Sequence, residues 1–423
     1  MTLKKIRLDY KWVILAVCFL MEFLCLGFCS SNVGLYTVPI TSALGIDRLA
    51  YSYWSSIRYA VQVFVSLSFG TLVARFGAKK MVFAGLCSLI AATLLRAFGT
   101  TVLHFYLAGA LHGFGIVYVG GTMAGTIVRR WFHQDVGRYT GIVMSANGIG
   151  GAIAAQIVSP IINNGEVFGY RKAYLLSAVI ALAIGVLIMF FLRDNPAGGP
   201  VIAGNQKKKV RGALWTGMEY SVAKRKAYFY ISAVLIFLTG ISLQSIGSIT
   251  IVYMTDLGID PGFIAATATV ASLVLTCSKM LVGITYDKKG LRFALLMCQL
   301  AGLVTFVLKG LLTNTPLGLV LAMAATVLSN FALPLETVMI PLLTNDLFGS
   351  ASYTKILGIF MAMNSLGLCL GSPLGELIRK ATGDYRPCFW LFSIIFVIVI
   401  VSFQLVLRAA NKDKEAILAM ETI

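Results

Sequence analysis

The sequence predicts an all-α membrane protein with twelve transmembrane helices in two pseudo-symmetric six-helix bundles. Three observations predict this fold. Of the 423 residues, 58% are hydrophobic and only 12% are charged; long apolar windows recur along the chain; and two loops share one pattern of glycines and charges. A water-soluble globule does not have this composition. The chain is therefore expected to lie in a lipid bilayer.

The apolar windows are long enough to cross a bilayer, because a hydrocarbon core about 30 Å thick needs roughly 20 residues of helix. The first window is too long for a cleavable signal peptide and lacks a small-residue cleavage site, so we expect it to remain as helix one. Twelve windows are predicted to span the membrane, at residues 12–36, 53–73, 81–98, 105–127, 139–161, 173–192, 228–254, 263–286, 293–312, 317–342, 354–378 and 388–407.

The net charge of +18 indicates membrane topology rather than nucleic-acid binding. A cytoplasmic N-terminus collects most lysines and arginines on one side, and the positive-inside rule then places both termini and the central loop in the cytoplasm. We expect a multi-pass protein of the cell membrane that functions as a monomer. The eight cysteines lack paired or metal-ligand spacing, so no disulfide framework, metal or cofactor is expected.

A polar segment divides the windows six and six. Residues 195–200 read Asn-Pro-Ala-Gly-Gly-Pro and are followed by clustered lysines, a composition typical of a cytoplasmic linker. The sequence therefore predicts an N-terminal six-helix bundle at 1–192, a linker at 193–226, and a C-terminal six-helix bundle with a short cytoplasmic tail at 227–423.

The loops after helices two and eight repeat one pattern of glycines and charges. Glycine permits a tight turn, and the cations hold the loop at the anionic inner surface of the membrane. The repeat indicates two homologous bundles and predicts a conformational loop in each of them. The residues concerned are Gly70, Arg75 and Gly77 in the first loop, and Gly283, Asp287, Lys288, Gly290 and Arg292 in the second.

This duplicated loop resembles the signature of the major facilitator superfamily, which implies the major facilitator fold. Further segments are similar to the oxalate/formate antiporters and the related monocarboxylate transporters, and the resemblance covers nearly the whole chain. These segments are Gly34-Leu-Tyr-Thr-Val-Pro39, Gly113-Phe-Gly-Ile-Val-Tyr118, Arg130-Trp-Phe132, Gly169-Tyr-Arg-Lys-Ala-Tyr174 and Asp346-Leu-Phe-Gly349.

The resemblance implies a cation in helix eight that binds a substrate carboxylate, and Lys279 occupies that position, eight residues before Asp287. The sequence also departs from the pattern. The family usually has arginine at Lys279 and an acid at Ala74, and the lysine of the oxalate group in helix eleven is Asn364 here. Leu275 replaces the acid that monocarboxylate transporters carry one turn before the cation. Dicarboxylate exchange and that proton site are therefore not carried over.

Charged residues within the spans indicate a similar site independently, because a charge at the bilayer centre costs roughly 2.5–3.5 kcal/mol and must face protein or water. The candidates are Lys279, Arg58, Glu22 and Glu336. Two interpretations stay open for each kind of charge. The cations bind substrate or pair with the two acids to lock helices. Glu22 and Glu336 are the proton-coupling candidates, and Glu22 either couples transport to protons or only neutralises Arg58.

Polar residues at membrane depth complete the candidate substrate site: Tyr118, Asn147, Gln62 and Asn364. For each of these residues, a role in helix packing is the alternative to contact with the substrate. No nucleophile turn, phosphate-binding loop or metal-spaced His/Cys set is present, so the protein is not expected to be an enzyme. A membrane receptor fits poorly, because the chain has almost no soluble domain.

Two transport hypotheses remain. The first is alternating access with a small, monocarboxylate-like organic anion, driven by proton symport or by exchange with a counter-anion. The alternative is a transporter or efflux pump for a zwitterionic, cationic or amphipathic molecule that uses Glu22 and Glu336.

Overall fold

The computed structural model describes residues 10–132, 136–194, 217–349 and 352–421. Within these ranges the regular structure is helical, and an isolated bridge between Gly217 and Gly349 is the one β-type pairing. Residues 195–216, which make up most of the predicted linker, lie outside the described residues.

The first half of the chain contributes six crossings, of which the first and fourth are interrupted. They are α1 (helix Tyr10–Glu22, π-helix Phe23–Phe28 and helix Val33–Leu44), α2 (Arg48–Phe76), α3 (Ala78–Phe98), α4 (Val102–Val119 and Gly121–Trp131), α5 (Val136–Ile162) and α6 (Gly169–Phe191).

The second half contributes six further crossings. They are α7 (Ala227–Asp256), α8 (261–289), α9 (291–310), α10 (helix Pro316–Ala332, π-helix Leu335–Met339 and helix Ile340–Phe348), α11 (Tyr353–Thr382) and α12 (Arg386–Glu421).

The twelve predicted spans are confirmed by eleven helices that are long and apolar enough to cross a membrane. One of these, Pro261–Gly310, has 50 residues and is broken at Gly290, where the backbone is not helical. At 1.5 Å per residue it is about 75 Å long, more than twice the thickness of a bilayer core. It therefore makes two crossings, α8 and α9. The chain is a multi-pass integral membrane protein.

Helix α1 extends further than its apolar window, which ends at residue 36. It resumes at Val33 after a short break and continues through Pro39 to Leu44. The window stopped early because the last turns carry threonine, serine and proline, which lower the hydropathy without ending the helix. Pro39 lies inside this segment, where it removes the hydrogen bond that a backbone N–H at this position would donate to the Leu35 carbonyl.

The two repeated loops share an unusual backbone conformation. Gly77 joins α2 to α3 with φ 83° and ψ 156°, and Gly290 joins α8 to α9 with φ 79° and ψ 173°. This region of backbone space is accessible essentially only to glycine. The sequence repeat is therefore also a structural repeat.

The crossings define two ends of the molecule. We call the end that holds Tyr10, Gly77 and Gly290 the terminal face, and the end that holds Asp47 and Asp256 the distal face. Among the described residues, every hydrogen bond and ion pair that joins α1–α6 to α7–α12 lies on the distal side of Lys279. The two halves are thus joined toward the distal face.

Ion pairs close the distal face. Arg48 at the start of α2 donates to both carboxylate oxygens of Asp256 at the end of α7, at 2.6 and 2.8 Å. Arg379 of α11 lies 3.5 Å from the same carboxylate, and Lys380 bonds Asp47 at 3.0 Å. We call these five residues the distal gate.

Small residues bring α5 against α8 beneath the gate. A Cβ atom on Gly148 would collide with Ser272 and Thr276 of α8, and one on Gly150 would collide with Phe23 of α1. Because no side chain intervenes at these positions, the helix backbones can approach closely. The central charged residues lie just below this contact.

Candidate functional site

Three charged side chains from three helices lie at one depth in the membrane. Glu22 is twelve residues from the start of α1, Glu336 is twelve residues before the end of α10, and Lys279 is eleven residues before the turn at Gly290. Each of the three residues therefore lies about 17–18 Å from the terminal face, measured along its helix axis. We call Glu22, Lys279 and Glu336 the charged cluster.

Lys279 is the centre of the cluster, because its ammonium interacts electrostatically with both Glu22 and Glu336. Thr276, one turn earlier on α8, faces α5 and donates to the Ser145 carbonyl, while Ser278 donates to the Asn330 carbonyl of α10. These two bonds fix the rotation of α8. As a result, Lys279 lies on the face of α8 that is directed across the boundary between the two halves.

No tight ion pair occupies the Lys279 ammonium. Within the part of the chain that the structure describes, no carboxylate oxygen lies within 4.0 Å of it and it makes no hydrogen bond. The lysine is partly buried rather than sealed in the core. Its charge is therefore available to a further group.

Glu22 is deeply buried, with 1% of its surface exposed. Its Oε2 atom has no hydrogen-bond partner and faces Gly121 of α4, lying 3.7 Å from the position that a Cβ there would occupy. A buried polar oxygen without a partner costs free energy, so such an atom in a folded protein indicates a functional demand or a missing ligand.

Glu336 occupies a comparable position in α10. It is the second residue of the π-helix Leu335–Met339, directly after Pro334, and its Oε1 atom is buried without a hydrogen-bond partner. Proline removes one backbone donor and widens the helix locally. Single π-helical turns of this kind occur frequently at functional sites.

Arg58 lies apart from the charged cluster. Its guanidinium group packs over the Tyr59 ring at 4.2 Å and the Trp54 ring at 5.5 Å, and it lines a cavity on the distal side. Its exposure is 8%, and no carboxylate oxygen in the described ranges comes within 4.0 Å of it. Glu22 interacts electrostatically with Lys279.

The four polar candidates fall in different surroundings. Asn147 accepts from Ser31 at 3.2 Å near the α1–α5 contact. Tyr118 is fully buried and stacks on Phe69, and Asn364 lies buried against Gly240 with its Oδ1 unpartnered. Gln62 is partly buried one turn beyond Arg58 in α2. The structure brings none of the four to Lys279 by a hydrogen bond.

The residues of the repeated loops lie at the terminal face. Gly77 packs against Asp194, whose Oδ1 atom accepts from the Lys79 backbone N–H at 2.6 Å. In the second half, Arg292 donates to Gln404 of α12 at 2.8 Å. The first loop is thus anchored to the segment that directly follows α6, and the second loop to α12. The remaining loop residues are Gly70, Arg75, Gly283 and the exposed Asp287 and Lys288.

Sequence reasoning missed the distal gate and Glu376. Glu376 is 5% exposed in α11, and its Oε1 atom accepts from Tyr385 at 2.8 Å. Charges at the ends of the helices were a signal, because Asp47, Arg48 and Asp256 flank apolar windows. Their pairing joins residues about two hundred positions apart, which periodicity does not reveal.

The cluster and the gate contain no arrangement typical of a metal centre. Among the residues that the structure describes, no group of three or more His, Cys, Asp or Glu residues is placed to hold a metal ion. What the arrangement offers chemically is one cation, two acids and a boundary between two halves.

Comparison with known proteins identifies relatives of matching length. A sequence profile described as Major Facilitator Superfamily matches residues 17–354 and 233–422. Monocarboxylate transporter 13 of Rattus norvegicus is 25% identical over 389 residues, which cover 89% of this chain and 84% of that protein. Multidrug resistance protein 2 of Bacillus subtilis (strain 168) is 22% identical over 399 residues, which cover 91% of this chain and 94% of that protein.

Among solved structures, a D-xylose-proton symporter superposes with a TM-score of 0.75 at 14% identity, over 93% of this chain and 97% of that one. At this identity the likeness shows the fold alone. The resemblance to monocarboxylate transporters that the sequence motifs indicated is confirmed by the relatives found.

Proposed function

Since the chain belongs to the Major Facilitator Superfamily and is a secondary transporter, we propose that it carries a small, monocarboxylate-like organic anion. The observation that carries this proposal is the Lys279 ammonium, which stands near two carboxyl groups without being bonded to either. A carboxylate solute supplies the group that this cation lacks.

The charges of the cluster favour proton symport over exchange. With both acids ionised, Lys279, Glu22 and Glu336 together carry one net negative charge, which repels an anion. One bound proton makes the cluster neutral, and a second leaves it net positive. Protonation of a carboxyl group therefore prepares Lys279 to bind an anion, so that solute and proton cross together.

The distal gate supports alternating access. The two halves are bonded only on the distal side of Lys279 within the described ranges, so the cluster is separated from the distal face by the gate. Binding of the anionic solute together with two protons leaves the cluster without net charge and lowers the free-energy cost of bringing the terminal ends of the two halves together around it. The gate ion pairs then part.

The setting follows from the charge distribution. We propose that the protein lies in the cell membrane with both termini and the terminal face in the cytoplasm, where the lysines and arginines collect. It acts as a monomer on a small solute, with protons as the coupling ion, and does not bind nucleic acid.

Uptake into proteoliposomes tests the proposal. Purified protein is reconstituted, and uptake of radiolabelled formate, lactate, oxalate and a small amine is measured with and without an inward proton gradient. We expect uptake of a monocarboxylate that the gradient stimulates, and Lys279→Ala is expected to reduce it by at least 100-fold, as for loss of a charged contact worth about 3 kcal/mol.

Two further variants make the result specific. Lys279→Arg keeps the positive charge and should retain part of the activity, while Lys289→Ala removes an exposed lysine of the same helix and should retain all of it. Unchanged melting temperatures establish folding. Near-normal anion uptake by Lys279→Ala would overturn the assignment of this residue.

A second function is favoured by the unpartnered oxygens of Glu22 and Glu336 and by the relative named a multidrug resistance protein. In that case the two acids bind a cationic, zwitterionic or amphipathic solute, which Lys279 displaces between cycles. Amine uptake that Glu22→Gln and Glu336→Gln abolish, with no monocarboxylate uptake, would replace the anion proposal with this one.

A further inference from the structure

An open cavity separate from the charged cluster lies between the two halves, beneath the distal gate. It holds about 750 Å³ of space and is bounded by α1 and α2 on one side and by α7 and α11 on the other. Hydroxyl groups of Ser30, Ser52, Ser55 and Ser248 contribute to its wall. We call this space the distal chamber.

Two oppositely charged side chains line the chamber without meeting. Arg58 is 8% exposed and Glu376 is 5% exposed, and each has a buried polar atom without a hydrogen-bond partner: Nε of Arg58 and Oε2 of Glu376. Such atoms are normally satisfied in folded proteins. Both residues line one cavity although the two atoms themselves are covered, which indicates a ligand that satisfies both once the side chains turn toward it.

The surroundings of the two groups differ in charge. Glu376 lies near Arg48 and Arg379, and these two arginines share Asp256, so this group of two cations and two acids is balanced. Arg58 packs over Trp54 and Tyr59 and has no carboxylate partner within 4.0 Å among the described residues. The charged residues that line the chamber, Arg48, Arg58 and Glu376, therefore carry one net positive charge.

The spacing sets the length of a ligand. Arg58 lies ten residues beyond Arg48 on α2, about 15 Å along the helix axis, and Arg48 is the member of that helix that neighbours Glu376. This axial offset is the gap that a ligand bound to both Arg58 and Glu376 has to span. A two- or three-carbon acid does not bridge such a gap.

We propose that the distal chamber is a second solute site, for an elongated monocarboxylate whose far end carries a hydrogen-bond donor. The carboxylate binds Arg58, where Tyr59 and Gln244 are already held in place by their mutual hydrogen bond of 2.8 Å. The donor at the other end binds Oε2 of Glu376. Because the charges around Glu376 are balanced, a neutral hydroxyl suits this end better than an ammonium group.

This inference shares with the proposed function only the assumption that the solute is an anion, and it does not require Lys279. The test therefore uses the full-length Lys279→Ala protein, in which the charged cluster has lost its cation. Hexanoate, 6-hydroxyhexanoate, 6-aminohexanoate and lactate are titrated by isothermal calorimetry. Lactate is the short probe, and hexanoate is the long probe that lacks a donor.

We expect 6-hydroxyhexanoate to bind about tenfold more tightly than hexanoate and lactate, the effect of one hydrogen bond to a charged group. Glu376→Met should abolish this preference without weakening the binding of hexanoate, and Arg58→Gln should weaken all four acids. Tighter binding of the amino acid probe than of the hydroxy acid, lost in Glu376→Gln, would assign the far end to an ammonium group.

Two results overturn the proposal: equal affinities for the long probes in the Lys279→Ala protein, or a preference that survives every change at Glu376. If Glu376→Met lowers the melting temperature, the near-isosteric Glu376→Gln and the charge-conserving Arg58→Lys take its place. Transport that persists in Lys279→Ala while the donor preference depends on Glu376 would contradict the proposed function and leave the chamber intact.

Discussion

Glu22 and Glu336 each stand where an α-helix widens into a π-helical turn. Glu22 directly precedes the turn Phe23–Phe28, and Glu336 is the second residue of Leu335–Met339. A π-turn shifts the register of the helix and leaves backbone groups less well paired, so it is retained where it positions a side chain. Both halves thus use one local device to direct an acid toward Lys279.

The first prediction concerns the proton. Glu22→Gln keeps the shape of the side chain but removes one of the two carboxyl groups through which the cluster binds and releases protons, and leaves only Glu336 to do so. We expect gradient-driven accumulation of the anion to be lost while exchange of labelled for unlabelled anion continues. Proteoliposome uptake and counterflow assays, with and without a proton gradient, measure the two activities.

The matched control for that change is Glu166→Gln, which neutralises an exposed acid paired with Lys172 in the first half. This variant should accumulate anion normally. Full gradient-driven accumulation by Glu22→Gln would contradict the role of Glu22 as the coupling acid.

The second prediction concerns the distal gate. Asp256→Asn removes the partner of both Arg48 and Arg379. Partly exposed pairs contribute up to about 1 kcal/mol, so the distal-open state should become about fivefold more populated. A membrane-impermeant maleimide applied from the distal side should label a cysteine at Ser248 correspondingly faster, in protein whose exposed Cys87 and Cys277 are replaced by serine.

Glu166→Gln again supplies the comparison, because it breaks an ion pair inside one half rather than between halves. Labelling in Asp256→Asn no faster than in Glu166→Gln would show that the gate pairs do not hold the distal face closed. High salt should mimic Asp256→Asn, since these charges are partly exposed.

The third prediction concerns the contact of α5 with α8. Gly148→Ala places a methyl group against Ser272 and Thr276, and overpacking of this kind costs about 1–3 kcal/mol. We expect a melting temperature lower by a few degrees and transport reduced at least tenfold. Gly141, seven residues earlier on the same helix, has open space around it, so Gly141→Ala should leave both quantities unchanged or slightly raised.

The fourth prediction concerns the turn between α8 and α9. Gly290→Ala introduces a side chain at φ 79° and should destabilise the protein by about 1–3 kcal/mol. Gly283→Ala, in the same loop motif but with helical backbone and nothing within 4 Å of its Cβ position, should not. Thermal unfolding of the purified variants distinguishes the two, and equal melting temperatures would refute a conformational role for Gly290.

Local patterns in the sequence were sufficient to predict much of this structure. Apolar windows predicted all twelve crossings because a bilayer imposes a minimum helix length. The glycine repeat predicted the two turns, and the cost of a charge in lipid singled out Glu22, Lys279 and Glu336. These signals depend on single residues and their immediate neighbours.

Features that depend on tertiary contacts were not predictable. The π-turns are not encoded by an apolar period, and the pairing of Arg48 with Asp256 depends on how the halves dock. The same holds for Arg58, whose charge indicated a central site although it lies against Trp54 and Tyr59 at the distal chamber. A charge within an apolar window reveals its depth but not its neighbour.

The tight turns at Gly77 and Gly290 determine where a covalent staple would be tolerated. Each turn joins two antiparallel helices directly, so that α2 and α3 form one hairpin and α8 and α9 form another. We expect the two helices of a hairpin to move together. A disulfide staple across either hairpin leaves turnover intact. A staple between α2 and α11, where Ser56 meets Cys369, would arrest the protein in one state, because those helices have to separate.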